Sequence, residues 1–73
     1  MTINQQIGIK LRYLRESNGF TLQQIGDRIG KSRKAIHAYE MGLVSISVDN
    51  LQSILDIYGL RAGTILDEIT EWD

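Results

Sequence analysis

The sequence predicts a compact, all-α fold of five short helices. Three observations lead to this prediction. Apolar residues recur at the three-to-four-residue spacing of a helix, Thr or Ser precedes most of these runs, and glycines follow them. The chain has 73 residues with seven glycines and neither proline nor cysteine. We therefore expect one domain, residues 1–73, whose helices are separated by glycines.

The first helix is expected to run from Ile3 to Ser17. Thr2 and Gln5 fit a capping box, in which each side chain bonds a free backbone N–H of the first turn. Ile7 and Leu11 begin an apolar stripe at helical spacing. This stripe predicts that the helix packs one face against the core.

Two further helices follow with a short turn between them. The second begins after Thr21 and ends at Gly30, and the third runs from Arg33 to about Met41 with Ser32 as its cap. Two helices joined by a turn of about three residues that contains a glycine form a helix-turn-helix, here residues 21–42.

The remaining elements are predicted from the same signals. Gly26 lies inside the second helix, where glycine is unfavourable, and this predicts a close approach by another helix. An apolar loop leads to a fourth helix, which begins after Ser47 and ends at Gly59. The last helix and tail, residues 62–73, are acidic.

Charge divides the chain into two halves. Residues 1–42 contain seven basic and three acidic residues, a net charge of +4, whereas residues 43–73 contain one basic and six acidic residues, a net charge of −5. Such asymmetry favours one face that binds an anion and another with a different role.

The segment from Thr21 to Gly42 resembles the Cro and lambda-repressor type of helix-turn-helix family, and the resemblance extends over about residues 3–69. It implies a lambda-repressor-like fold that binds double-stranded DNA in the major groove. The matching positions are a polar cap, spaced apolar and small residues, a turn glycine, a second cap and a Glu-x-Gly ending: Thr21, Ile25, Gly26, Gly30, Ser32, Ile36 and Glu40-Met41-Gly42.

The resemblance also implies that Arg15 pairs with Glu40 and ties the first helix to the third. Two positions depart from the family pattern. Leu22 stands where the family often has a phosphate-binding glutamine, and the loop Leu43–Ile46 is apolar where the family is often polar or basic.

In this motif the N-terminal part of the third helix meets base edges, and other groups contact phosphates. Arginine and lysine can bind guanine, and alanine can contact a thymine methyl group. The alternative is that these residues form a solvated face. The predicted base contacts are Arg33, Lys34, His37 and Ala38, and the predicted phosphate contacts are Lys31, Arg28 and the helix terminus at Thr21.

Other kinds of site are not predicted. The single histidine and the absence of cysteine leave no set of metal ligands, and Gly30-Lys31-Ser32 lacks the earlier glycine of a phosphate-binding loop. We expect no catalytic residues, no cofactor and no membrane segment, and a location in the cytoplasm of a bacterial host cell.

Two functions remain open. The first is a small DNA-binding repressor, similar to Cro, from a phage or bacterium and acting as a homodimer. The second is an antirepressor-like protein that binds another repressor of the same genetic switch. A predicted protein interface supports the second and consists of Leu43, Val44, Ile46, Ile69 and Trp72. The alternative is that Leu43 and Ile46 fold back onto the domain's own core.

Overall fold

The computed structural model describes residues 1–69. They form five helices and no strand, as predicted, and the longest dimension is 31 Å. Trp72 and the rest of the tail lie outside the described residues. The helices are α1 (Ile3–Ser17), α2 (Leu22–Ile29), α3 (Arg33–Glu40), α4 (Val48–Asp56) and α5 (Ala62–Asp67).

The first four helices begin at the predicted capping residues. In each case the side-chain oxygen accepts a hydrogen bond from the backbone N–H three residues later, at 3.0–3.1 Å. Such a bond satisfies one of the N–H groups that a helix leaves free at its start. The caps are Thr2, Thr21, Ser32 and Ser47.

The last helix was expected to extend from Ala62 to about Glu71, but α5 ends at Asp67. The N–H groups of Glu68 and Ile69 donate to the carbonyls three residues before them, at 3.1 and 3.2 Å. This hydrogen-bond spacing forms a turn that is tighter than a turn of α-helix. This turn directs Ile69 inward, where it is 4% exposed. Its assignment to an exposed protein interface is therefore wrong, because it belongs to the core.

One apolar cluster holds the helices together. Leu55, with no exposed surface, lies within it, and α1, α4 and α5 surround the pair α2 and α3. Burying such side chains contributes roughly 1.5–3 kcal/mol each. The buried members are Ile7, Leu11, Ile25, Ile36, Leu51, Ile54, Leu55, Ala62, Ile65 and Ile69.

Two glycines mark close backbone approaches. A Cβ atom on Gly26 would lie 2.5 Å from the carbonyl oxygen of Lys31. The close neighbour is therefore the turn that follows α2, and the prediction of another helix at this position is wrong. Helices do meet closely at Gly8, where a Cβ atom would overlap the carbonyl oxygens of Tyr39 and Glu40 at the end of α3.

The apolar loop after α3 is divided between core and surface. Ile46 is partly buried and packs against the core, whereas Leu43 is 72% and Val44 46% exposed. Only the latter two of the predicted interface residues therefore lie on the surface of the described part. No helix within residues 1–69 is long and apolar enough to cross a membrane.

Candidate nucleic-acid interface

The N-terminal part of α3 presents cations to solvent. Ser32 caps the helix, its Oγ accepting from the N–H of Ala35 at 3.0 Å, and buried Ile36 holds the opposite face in the core. Arg33 and Lys34 are both exposed in the first turn. The core contact and the cap thus fix the direction in which these two side chains leave the helix.

The next turn of α3 continues this surface. His37 is exposed, and Ala38 beside it is half-buried. Lys31, in the turn before α3, is also exposed, and its N–H donates to the carbonyl of Gly26 at 2.8 Å. Lys31, His37 and Ala38 thus extend the surface that begins at Arg33 and Lys34.

The cations of the chain fall into two groups. Three are paired with carboxylates, in the ion pairs Lys10–Glu68 at 2.7 Å, Arg12–Glu16 at 3.4 Å and Arg15–Glu40 at 2.7 Å. Within residues 1–69, no carboxylate pairs with the other five, which are Arg28, Lys31, Arg33, Lys34 and Arg61. The charges at the start of α3 are therefore free to bind an anion outside the chain.

Arg33 stands between two open clefts. One, of about 570 Å³, is lined by α2 and α3 and includes Gln23, Lys34 and His37. The other, of about 520 Å³, is bounded by Phe20, Thr21 and Gln23. Leu22 also lines both clefts but offers no polar side-chain atom.

The start of α2 faces the second cleft. Thr21 and Gln24 form a reciprocal capping box in which each backbone N–H donates to the other's side-chain oxygen, at 2.8 and 3.1 Å. In the part of the chain that is described, the N–H groups of Leu22 and Gln23 have no partner. Free N–H groups at a helix start favour a phosphate.

Arg28 does not join this surface. Its guanidinium lies 4.7 Å from the ring centroid of Phe20, a cation–π arrangement, and it lines neither cleft. Phe20 in turn packs against Tyr58, with ring centroids 6.1 Å apart. Burial raises the pKa of the Tyr58 hydroxyl, and the negative charge of Glu40 raises it further.

The structure brings Arg15 and Glu40 together beneath the interface. Arg15 Nε and Nη2 donate to the two carboxylate oxygens of Glu40 at 2.7 and 3.0 Å, and Nη1 donates to the carbonyl of Phe20 at 3.0 Å. Chiefly because of the hydrogen bond to Glu40, the pKa of Arg15 rises above its already high ordinary value. This bidentate pair fastens α1 to the end of α3.

Gln23 was missed in the sequence analysis. Its exposed side chain lines both clefts, and its Nε2 donates to Asp27 Oδ1 at 2.8 Å. The signal was present, because Gln23 is a polar residue two positions after the cap of α2. Its position beside Arg33 depends on the packing of α2 against α3, which no local pattern reports.

The comparisons with known proteins agree with the helix-turn-helix fold. A family profile described as helix-turn-helix matches residues 11–65. Relatives from Saccharolobus islandicus, strains L.S.2.15 and M.14.25, and from Saccharolobus solfataricus carry the provisional name HTH-type transcriptional regulatory protein. Each is 33% identical over 49 residues, which cover 67% of this chain and 16% of the relative.

The chain thus spans less than a fifth of the length of these curated relatives. No solved structure gave a significant match.

Proposed function

Because the chain belongs to the helix-turn-helix family, we propose that it is a sequence-specific regulator of transcription that places α3 in the major groove of double-stranded DNA. The observation that carries this proposal is the exposed, unpaired cationic start of α3, at Arg33 and Lys34, on a helix fixed by its cap and core contact. DNA carries one negative charge per about 1.7 Å of its axis and attracts such a surface.

The side chains of α3 have different parts in the proposed complex. Arg33 binds guanine O6 and N7 with two donors, and Lys34 reaches the same kind of acceptor. His37 lies one turn further on, and Ala38 contacts a thymine methyl group. Lys31 and the free N–H groups at the start of α2 bind phosphates, which add affinity without reading sequence.

Arg28 contributes less directly to the proposed binding of DNA than the side chains of α3 do. Its stacking on Phe20 keeps the guanidinium away from both clefts. A contact between Arg28 and phosphate therefore requires DNA that extends past the end of α2, and we place it at the edge of the complex.

The regulatory outcome that we propose is repression. A domain seated in the major groove excludes other proteins from the same site, so a small Cro-like protein acts by occupancy alone. The setting we propose is the cytoplasm of a bacterial cell, with a phage or bacterial gene as the target.

The test compares Arg33→Ala with Lys31→Ala. Arg33→Ala is expected to cost roughly 1–3 kcal/mol of specific binding and to relax the preference at one base pair. Lys31→Ala should weaken binding to all sequences and flatten its salt dependence. The measurement is selection of binding sites from random DNA, followed by titration at several salt concentrations. Unchanged sequence preference in the Arg33 variant would contradict the placement of α3.

A second candidate function is binding to another repressor of the same switch. It is supported by the exposure of the apolar side chains of Leu43 and Val44, which are 72% and 46% exposed. Exposed apolar residues beside charged ones favour protein contacts. In this function the acidic residues of the C-terminal half attract the basic DNA-binding face of the partner, and the complex competes with DNA. Recovery of a bound repressor in place of DNA from host cells would favour it over the first.

A further inference from the structure

We propose that the hydrogen bond between Tyr39 and Asn50 sets the distance between the two copies of α3 in a dimer bound to DNA. The bond does so by holding the α3–α4 loop, residues 41–47, in one position relative to α3. This assignment rests on the proposed binding of DNA by α3 and on contact between two copies of the chain through Leu43 and Val44. Tyr39 and Asn50 are then positioning residues, because they act through the loop and do not touch DNA.

The bond joins the two ends of the α3–α4 loop. Tyr39 lies in the last turn of α3 and Asn50 in the first turn of α4, and Asn50 Nδ2 donates to the Tyr39 hydroxyl at 3.2 Å. Both residues are half-buried. Within residues 1–69, no other hydrogen bond or ion pair connects α3 with α4. This contact is therefore the polar restraint on the position of α4 relative to α3.

The loop between the two helices is held at its ends and exposed at its tip. The N–H of Leu43 donates to the carbonyl of Ala38 at 3.0 Å, and Ile46 packs against the core. Apolar packing has no preferred direction, whereas a hydrogen bond is strong only over a narrow range of distance and angle. Ile46 therefore keeps the loop near the core, and the bond from Asn50 fixes the orientation in which the loop presents Leu43 and Val44.

A small displacement of this loop has a large effect in a dimer. Leu43 and Val44 are 72% and 46% exposed and supply the apolar surface of the loop. A two-fold contact uses the same patch of both copies, so any shift of the loop relative to α3 is applied twice. The two copies of α3 must lie about 34 Å apart to enter adjacent turns of the major groove. Holding the loop therefore selects the half-site spacing that the dimer accepts.

The experiment measures binding of the whole chain to duplexes that carry two selected half-sites at centre-to-centre spacings of about 8–13 base pairs, and to a duplex with one half-site. The unaltered chain is expected to prefer one spacing. Tyr39→Phe removes the hydroxyl and keeps the ring, and it should reduce this preference by about fivefold, the scale of one hydrogen bond. Affinity for the single half-site should not change.

Two further variants separate the bond from other effects. A tyrosine hydroxyl donates as well as accepts, so Asn50→Asp keeps a hydrogen bond with the roles reversed and should keep the spacing preference. Asn4→Ala is the matched control, because Asn4 Nδ2 donates to Ser45 Oγ of the same loop at 3.2 Å in an exposed setting, where water competes for both groups. Asn4→Ala should leave the spacing preference unchanged.

Each other outcome counts against the proposal. An unchanged preference in Tyr39→Phe would remove the role of the bond, and an equal loss at every duplex, including the single half-site, would show a purely structural role. Loss of the preference in Asn50→Asp, or an equal loss in Asn4→Ala, would assign the spacing to other contacts. If the unaltered chain binds a half-site but prefers no spacing, this proposal fails and the proposed function stands, whereas a chain that prefers no DNA sequence overturns both.

Discussion

Glu40 is the one charged side chain buried in the described residues, and its partner explains how the fold tolerates it. Glu40 is 4% and Arg15 13% exposed at the side chain. Moving a charge away from water costs several kcal/mol, and a partner recovers this only with good geometry. The bidentate contact and the third bond, to Phe20, supply that geometry.

Removing one partner should therefore be far more costly than removing both. Glu40→Ala is expected to destabilise the fold by about 3–5 kcal/mol, because it leaves the guanidinium of Arg15 buried and unpaired. The double variant Arg15→Met with Glu40→Leu should lie within about 1–2 kcal/mol of wild type. Urea denaturation followed by circular dichroism measures both.

The chain offers a matched control for this prediction. Arg12 and Glu16 form an ion pair whose side chains are 57% and 54% exposed. Arg12→Ala should change the free energy of unfolding by less than about 1 kcal/mol, as is typical of surface pairs. A loss from Arg12→Ala equal to that from Glu40→Ala would contradict the role assigned to burial.

At the scale of the elements, the contact between α1 and α3 depends on the absence of a side chain at Gly8. A Cβ atom there would lie 2.6 Å from the carbonyl oxygen of Tyr39 and closer still to that of Glu40. Both obstacles are backbone atoms, so they cannot move away as the tip of a flexible side chain can. The end of α3 must shift if Gly8 is replaced.

Gly8→Ala and Gly63→Ala should consequently have opposite effects. Alanine is favoured over glycine inside a helix by roughly 0.5–1 kcal/mol. Apart from the adjacent backbone of α5, a Cβ atom on Gly63 would meet no atom of the described residues within 4 Å. Gly63→Ala should therefore stabilise the fold by up to about 1 kcal/mol. At Gly8 the overlap should dominate, with a net loss of roughly 1–3 kcal/mol. Thermal unfolding of the two variants measures the sign of each change in stability. A stabilised Gly8→Ala variant would contradict the close approach of α1 to the end of α3.

The elements also show what sequence alone can predict. A cap needs only Thr or Ser and the residues within three positions of it, so the starts of four helices were correct. The contact at Gly8 joins residues about thirty positions apart, and no local pattern signals it. Ile69 was misplaced for a similar reason, because only the tertiary fold shows that the end of α5 turns into the core.

Some residues of the candidate site can likewise be predicted from local sequence, whereas the positions of others depend on tertiary packing. The cap and the cations of α3 are local, and the structure places Arg33, Lys34 and His37 around one cleft. The positions of Arg28 and Gln23 were not predicted correctly from the sequence. Which side of α2 faces α3 is decided by packing, and this packing turns Gln23 toward Arg33 and Arg28 toward Phe20.

At the scale of the whole molecule, one copy offers a single eight-residue helix to the major groove in the proposed complex with DNA. Two-fold related helix-turn-helix domains read half-sites about 34 Å apart. The longest dimension of the described residues is 31 Å, so the centres of two copies that touch end to end lie about one half-site spacing apart. Because one helix makes few base contacts, we expect the active species to be a homodimer.

Leu43 and Val44 are the exposed apolar residues that we expect to lie in the dimer contact. The double variant Leu43→Glu with Val44→Glu should sediment at the monomer mass of 8.3 kDa under conditions in which the wild type sediments at twice that mass. It should also lose cooperative binding to a two-half-site operator. Two added carboxylates weaken any DNA binding, so affinity for a single half-site is measured to remove that effect. Ile9→Glu, at a residue of α1 that is 52% exposed, is the matched control and should remain dimeric. Dissociation by Ile9→Glu but not by the double variant would place the dimer contact on α1 instead.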